Sequence, residues 1–398
     1  MGSFAPSRLL RNANRLSSAF ISLSPSSAGT SSPSTVVSKM VDNILKERDL
    51  DQVVQKFLTS SETYRFRCKH RVYEITFRRL AAAQRFSSIE QIVDAHKKYR
   101  DITSEGFAVR LITLCGKSHM FDQARKLFDE LVQLNCPRTV KSLNALLSAA
   151  IDSGLHGNVP ELFQQLSSEL SIAPDRITYN ILILAYCKMG SLDEALSVLV
   201  TMEAKGAEPV VITFNTLLHG FYGANRFPDA EKLWAKMEEC NISPNVVTFN
   251  EKMQALAPEG KSADVLQLID EMRSRGLKPD IFSFNWLIKA HCSDGNIEEA
   301  RRVFTDLATN ELTPNWRTFE MFIPYLCEKG ELDLAFKLAN DSVHQSCRVN
   351  SEVLQQVVDG LSKESRREDA EKLVEAASQS KDSDRYNLRL PAEEEKCD

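Results

Sequence analysis

From Tyr179 to Met189 the apolar residues fall at Ile181, Leu182, Leu184, Ala185 and Cys187, the spacing of one helical face. Gly190 interrupts the pattern. A second helical stretch follows from about Leu192 to Lys205, with Ala195, Val198, Leu199 and Met202 on one side. A turn from Gly206 to Pro209 closes the segment, and the pattern then starts again. Ala195, Ala230, Val265, Ala300, Ala335 and Ala370 recur at steps of 35 residues, in phase with Pro209, Pro244, Pro279 and Pro314. Each period predicts two antiparallel helices joined by short turns. Such a hairpin cannot bury both faces alone, so neighbouring copies must stack into an all-α solenoid.

The period sets the frame. Units are expected to begin near His70, Glu105, Val140, Arg176, Val211, Val246, Ile281, Trp316 and Ser351 and to occupy residues 70–385. Thr178, Thr213, Thr248, Ser283 and Thr318 recur near the start of the first helix, where they are expected to cap it. Gly154, Gly190, Asn225, Gly260, Gly295 and Gly330 share the slot that closes that helix, which suits a left-handed residue. Residues 41–69 predict a degenerate helical cap before the repeats. Residues 386–398, with Glu393, Glu394 and Glu395, predict a disordered acidic tail.

The first 41 residues hold no Asp or Glu but carry Arg8, Arg11, Arg15 and Lys39 and many serines. Residues 1–40 therefore read as an organelle transit peptide, with mitochondria favoured by the arginines and leucines and plastids as the alternative. Subtracting those four cations from the net charge of −5 leaves a mature body near −9. A broadly basic surface for non-specific phosphate binding is thus excluded. No apolar run is long enough for membrane insertion. The nine cysteines form no C-x-x-C pair, and Cys187, Cys292 and Cys327 recur as small packing residues. The histidines have no metal spacing, so neither metal nor cofactor is expected. No H-x-E…C-x-x-C deaminase set and no clustered aspartates are present, so no catalytic residue is assigned.

One polar row remains. Asn180, Asn215, Asn250 and Asn285 stand 35 residues apart, each after an aromatic residue, and Asn144 extends the row upstream. A polar residue recurring among apolar neighbours marks either a row of identical recognition points or a bond to the backbone of the next unit.

The form Val246-Val-Thr-Phe-Asn, with the turn Lys278-Pro-Asp, resembles the pentatricopeptide repeat (PPR) family. The resemblance covers about residues 70–385, and the uniform unit length looks like the P-type subclass. It implies a right-handed superhelical solenoid that binds single-stranded RNA, an organelle transcript or ribosomal RNA, at about one base per unit. The implied activity is non-catalytic, in RNA processing, stability or translation. The alternative is a structural component of the mitochondrial ribosome that binds ribosomal RNA or ribosomal proteins.

In that family the fifth residue of a unit and its last residue share one base. The implied base-reading pairs are Asn144 with Asp175, Asn180 with Val210, Asn215 with Asn245, Asn250 with Asp280, and Asn285 with Asn315. A closing Asp favours uracil and a closing Asn favours cytosine, then uracil, so from N- to C-terminus along RNA 5′ to 3′ the tract reads U-Y-C-U-C, with Y a pyrimidine. Lys141, Ile177, Ile212, Val247 and Phe282 are the implied base-stacking residues, and Lys117 and Lys188 the implied phosphate contacts. Glu74, Val109 and Glu320 depart from the pattern and leave the outer units without a familiar pair.

Overall fold

The computed structural model describes residues 33–380 and 383–391. The transit-type segment therefore lies mostly outside the described residues, as do Glu393, Glu394 and Glu395. Among the described residues there is no strand, and no helix is long and apolar enough to cross a membrane.

The described residues form two compact units, divided after Leu80. In the first, the helix Pro33–Lys46 runs across the boundary expected at residue 40. It is followed by Leu50–Ser61, the single turn Tyr64–Arg67 and most of His70–Ala82. Phe57, Phe66 and Tyr73 are fully buried here, with the Phe57 ring edge-on to the other two at 5.3 and 4.7 Å. Aromatic edges of this kind add specificity to apolar burial. Arg79 ties the unit down through the carbonyls of Ile44 and Glu47.

In the second unit, helix pairs follow one another with the period of the sequence. First helices begin at Glu105, Val140, Arg176, Val211, Val246, Ile281, Trp316 and Ser351. Second helices include Leu192–Ala204, Phe227–Glu239 and Leu332–His344. Core residues run without a break from one pair to the next: Leu199, Phe214 and Leu218 join Phe249, Met253 and Leu287 in one cluster. A second cluster continues from Ile288 and Phe322 to Val357 and Leu373. Each pair thus completes the core of its neighbour, as stacking repeats require.

Small residues let first helices approach. A Cβ on Gly116 would lie 2.5 Å from the Cα of Ala149 in the next unit. Gly220 likewise leaves room for Cys187, whose Sγ would sit 2.9 Å from an added Cβ. Burial pushes the thiols of Cys187 and Cys327 up to about 11 and that of Cys292 up to about 12, so these are inert packing groups. The helix-closing slot is left-handed as expected, from Gly154 at φ 79° to Asn225 at φ 57°.

Two expectations are corrected. The capping residue is not the threonine but the residue three positions before it: Asp175, Asn245, Asp280 and Asn315 are the N-caps, and Thr178, Thr248, Ser283 and Thr318 complete the capping boxes. An extended residue just before the helix can turn its side chain onto the free N–H groups, which a residue already inside the helix cannot. The expected disordered tail is also ordered as far as residue 391. Tyr386 is buried, and Leu388 and Leu390 pack against the last helix pair. They cover apolar surface that the end of a repeat stack would otherwise expose.

Candidate nucleic-acid interface

Each asparagine of the polar row projects from the second turn of a first helix, toward the first turn of the next unit. Thr178 Oγ1 donates to Asn144 Oδ1 at 2.8 Å, and Thr213 to Asn180 at 2.7 Å. Thr248 donates to Asn215 at 2.7 Å and Ser283 to Asn250 at 2.8 Å. The hydroxyl donors are fully buried. A buried hydroxyl must find a partner, so the asparagine is the joint between units.

The amide nitrogen of the same asparagine meets the closing residue of its own unit. Asn144 Nδ2 donates to Asp175 Oδ1 at 3.0 Å, and Asn250 Nδ2 to Asp280 Oδ1 at 3.1 Å. Asn215 and Asn285 reach the Oδ1 atoms of Asn245 and Asn315 at 3.3 Å. That Oδ1 atom also caps the next helix, accepting from the N–H of Thr178 at 2.9 Å, Thr248 at 3.0 Å, Ser283 at 3.0 Å and Thr318 at 3.1 Å. Burial opposes ionisation of Asp175. The Thr178 N–H, the Asn144 amide and the Thr178 hydroxyl nonetheless hold its carboxyl below the usual carboxylate range.

This network fixes which atoms are left over. With Oδ1 taken, a closing aspartate presents Oδ2, an acceptor. A closing asparagine presents Nδ2, a donor. Asn144, Asn215, Asn250 and Asn285 each keep one further N–H. The pairs at Asp175 and Asp280 therefore offer a donor beside an acceptor, and those at Asn245 and Asn315 offer donors only.

Two junctions are incomplete. Val210 has no acceptor, so Asn180 keeps only its bond from Thr213 and the next helix lacks a side-chain cap. Asn285 is 1% exposed, yet its Oδ1 has no partner; Thr318 Oγ1 donates only to Asn315 Oδ1, at 3.2 Å.

Beside the asparagines runs a second row that water should disfavour. Ile177, Ile212, Val247 and Phe282 are between 41% and 66% exposed, at the same position in four successive units. Lys141, one unit upstream, is exposed too, as are Lys117 and Lys188. Many other cations are spent on carboxylates of the neighbouring unit: Lys236 on Glu203, Arg275 on Glu238, Arg301 on Glu331 and Arg366 on Asp333. A cleft of about 350 Å³ opens nearby, where His219 Nδ1 lies 2.7 Å from Glu251 Oε2. That hydrogen bond raises the His219 pKa.

The flanking units close themselves. Where Val109 replaces asparagine, Glu105 stands one turn earlier on the same face and takes over the joint. It accepts from Thr139 N and Oγ1 at 2.8 Å and from Ser142 N at 3.2 Å. Glu320 accepts from Asn350 N at 2.8 Å. Glu105 was not singled out from sequence; its signal is the four-residue step to Val109, which places both on one helical face.

The family model described as "PPR repeat family" matches residues 209–257, 244–293 and 279–328, and two further PPR repeat models match residues 170–203 and 110–136. The small ribosomal subunit protein mS78 (rPPR3a) of Arabidopsis thaliana is 43% identical over 192 residues, 48% of this chain and 48% of that protein. A mitochondrial pentatricopeptide repeat-containing protein of the same plant is 37% identical over 178 residues, 44% of this chain and 42% of that one. The chain thus spans about half the length of the curated relatives it matches. The crystal structure of maize PPR10 aligns over 86% of this chain and 57% of that one, at 16% identity and a TM-score of 0.48. With the matches distributed from residue 110 to residue 328 in the phase of the helix pairs, the chain belongs to the pentatricopeptide repeat family.

Proposed function

We propose that this chain binds single-stranded RNA, without catalysis, by placing one pyrimidine at each of five units of the P-type pattern. The observation that carries the reading is the set of atoms left free by the asparagine network. Uracil offers an N3–H donor next to carbonyl acceptors, matching the outward Oδ2 of Asp175 or Asp280 beside an asparagine N–H. Cytosine offers an N3 acceptor, matching the outward Nδ2 of Asn245 or Asn315. Val210 contributes no such atom, so Asn180 alone selects a pyrimidine. The exposed row Ile177, Ile212, Val247 and Phe282 supplies apolar faces for the bases to lie against. The exposed Lys117 and Lys188 would meet phosphates, and Lys141 would continue the stacking row one unit upstream.

The test is an anisotropy titration of the full chain with an RNA containing U-U-C-U-C and with its purine-substituted counterpart, at about 150 mM salt. A good pair discriminates by about 1–3 kcal/mol, so the pyrimidine RNA should bind at least tenfold more tightly. Equal binding of the two would sink the assignment.

A second reading, membership of the mitochondrial ribosome's small subunit, is favoured by the self-closed outer units and the acidic balance of the chain. A relative named as a small ribosomal subunit protein points the same way. There the solenoid would hold ribosomal RNA or protein segments. The arginine- and serine-rich residues 1–40 and the relative named mitochondrial support import into mitochondria; plastid import is the competing destination. Sedimentation of organelle lysate separates the readings: co-migration with a ribosomal subunit supports the scaffold, and absence from those fractions rejects it.

A further inference from the structure

The fifth position of the last unit is Gln355, which stands where the upstream units carry asparagine. Both edges of its amide are used by one residue of the chain's own tail. Gln355 Nε2 donates to the Arg389 carbonyl at 2.7 Å, and Gln355 Oε1 accepts from the Arg389 N–H at 2.9 Å. A paired donor and acceptor is what a base edge would present to this amide. Nε2 is also held by Asp359 Oδ1 at 2.8 Å, which sets the amide's orientation.

The tail is anchored around that contact. Tyr386 is buried, and its hydroxyl donates to the Cys347 carbonyl at 3.2 Å. Leu388 and Leu390 pack on the cluster that holds Leu354, Val357 and Val358. Tyr386 also falls 35 residues after Ser351, at the point where a further unit would begin. Residues 386–391 therefore cover the core where a further first helix would pack, and Arg389 lies against the readout position as well.

We propose that residues 386–391 are an internal stop for the ligand: they fill the readout position of the last unit and confine base contacts to the five asparagine units. This rests on the RNA-binding reading above. Glu320, spent on Asn350, leaves the intervening unit closed, so the tail decides whether contacts resume at Gln355.

The experiment compares the full chain with the double variant Leu388→Asp/Leu390→Asp and with Gln355→Leu. Hydrogen exchange of the 386–391 peptide reports whether the tail is seated. Binding is measured for the five-nucleotide tract and for the same tract with two nucleotides added at its 3′ or its 5′ end. In the parent, the tail peptide exchanges slowly, and the RNAs bind within about twofold of one another. In the double variant exchange becomes fast, and the 3′-extended RNA gains at least about fivefold over the short one, the low end for one stacked base. Gln355→Leu should loosen the tail without that gain, because the reading amide is gone. Fast exchange in the parent overturns the proposal, and so does a released tail with no gain from extension. If no RNA binds any protein, the function reading fails, and slow parental exchange lost in Gln355→Leu would still establish that the tail fills the position.

Discussion

The hydroxyl of Thr178 donates to the carboxamide oxygen of Asn144, 34 residues upstream, at 2.8 Å. One unit's amide is thereby oriented by the first turn of the next. A ligand meeting this amide finds it already placed, which saves the ordering cost that a free side chain would impose on binding.

Replacing that donor isolates its contribution. Thr178→Val and Thr248→Val keep the side-chain shape but strand the oxygens of Asn144 and Asn215, so each should cost about 1–3 kcal/mol. Thr318→Val should cost less, because Asn285 Oδ1 already lacks a donor. Urea melts followed by circular dichroism would rank the three; equal losses would refute the distinction.

Asn250→Thr with Asp280→Asn should move the fourth base of the five toward adenine if the family pairing holds at that unit. Competition binding with a tract carrying U or A at that one place reads the change. An unchanged preference would remove the base-reading role from the pair.

How much of this was legible beforehand differs by feature. The period and the helix starts could be read because every unit repeats the same demands: an apolar face, a polar first turn and a left-handed stop. The division of labour between Asp175 and Thr178 could not. Both types cap helices, and a three-residue spacing does not say which one lies outside the first turn. Asn144 and Thr178 meet only because two units stack, so their bond has no local signature. The tail misled because the composition of Arg389-Leu-Pro-Ala-Glu-Glu-Glu describes only the tail. What orders Tyr386, Leu388 and Leu390 is the bare end of the stack.

Val210→Asp should repair the incomplete junction. The new carboxylate would cap the helix Val211–Gly223 and accept from Asn180 Nδ2, a gain of about 0.5–2 kcal/mol from the cap. The same change should narrow the second base from either pyrimidine to uracil. A higher melting temperature with unchanged base preference would support the cap and reject the readout.

Gly116→Ala should be severe for its size. The added Cβ meets backbone of Ala149 at 2.5 Å, and overpacking of this kind costs about 1–3 kcal/mol. Gly157→Ala, with nothing within 4 Å, is the matched control. Thermal melts of the two variants check the contrast.

The His219–Glu251 contact gives a pH signature. The hydrogen bond to Glu251 raises the histidine pKa, against the opposing effects of burial and of Lys188. A raised folded pKa means that the stabilisation is full below the unfolded value of about 6.5 and is lost as pH rises through the folded value. The melting temperature should therefore fall across that window, and His219→Gln should flatten the fall. A parent and variant with parallel pH profiles would discount the contact.

The double duty of Asp175, Asn245, Asp280 and Asn315 limits how specificity can change over time. Each must stay a residue that can start a helix, so the alphabet open to it is confined to short polar side chains. Drift to an apolar residue would lose the proposed base contact and a helix cap in one step, and Val210 already lacks the cap. A selectivity change in this chain is therefore also a folding event, and recoded variants should be screened for stability alongside target choice.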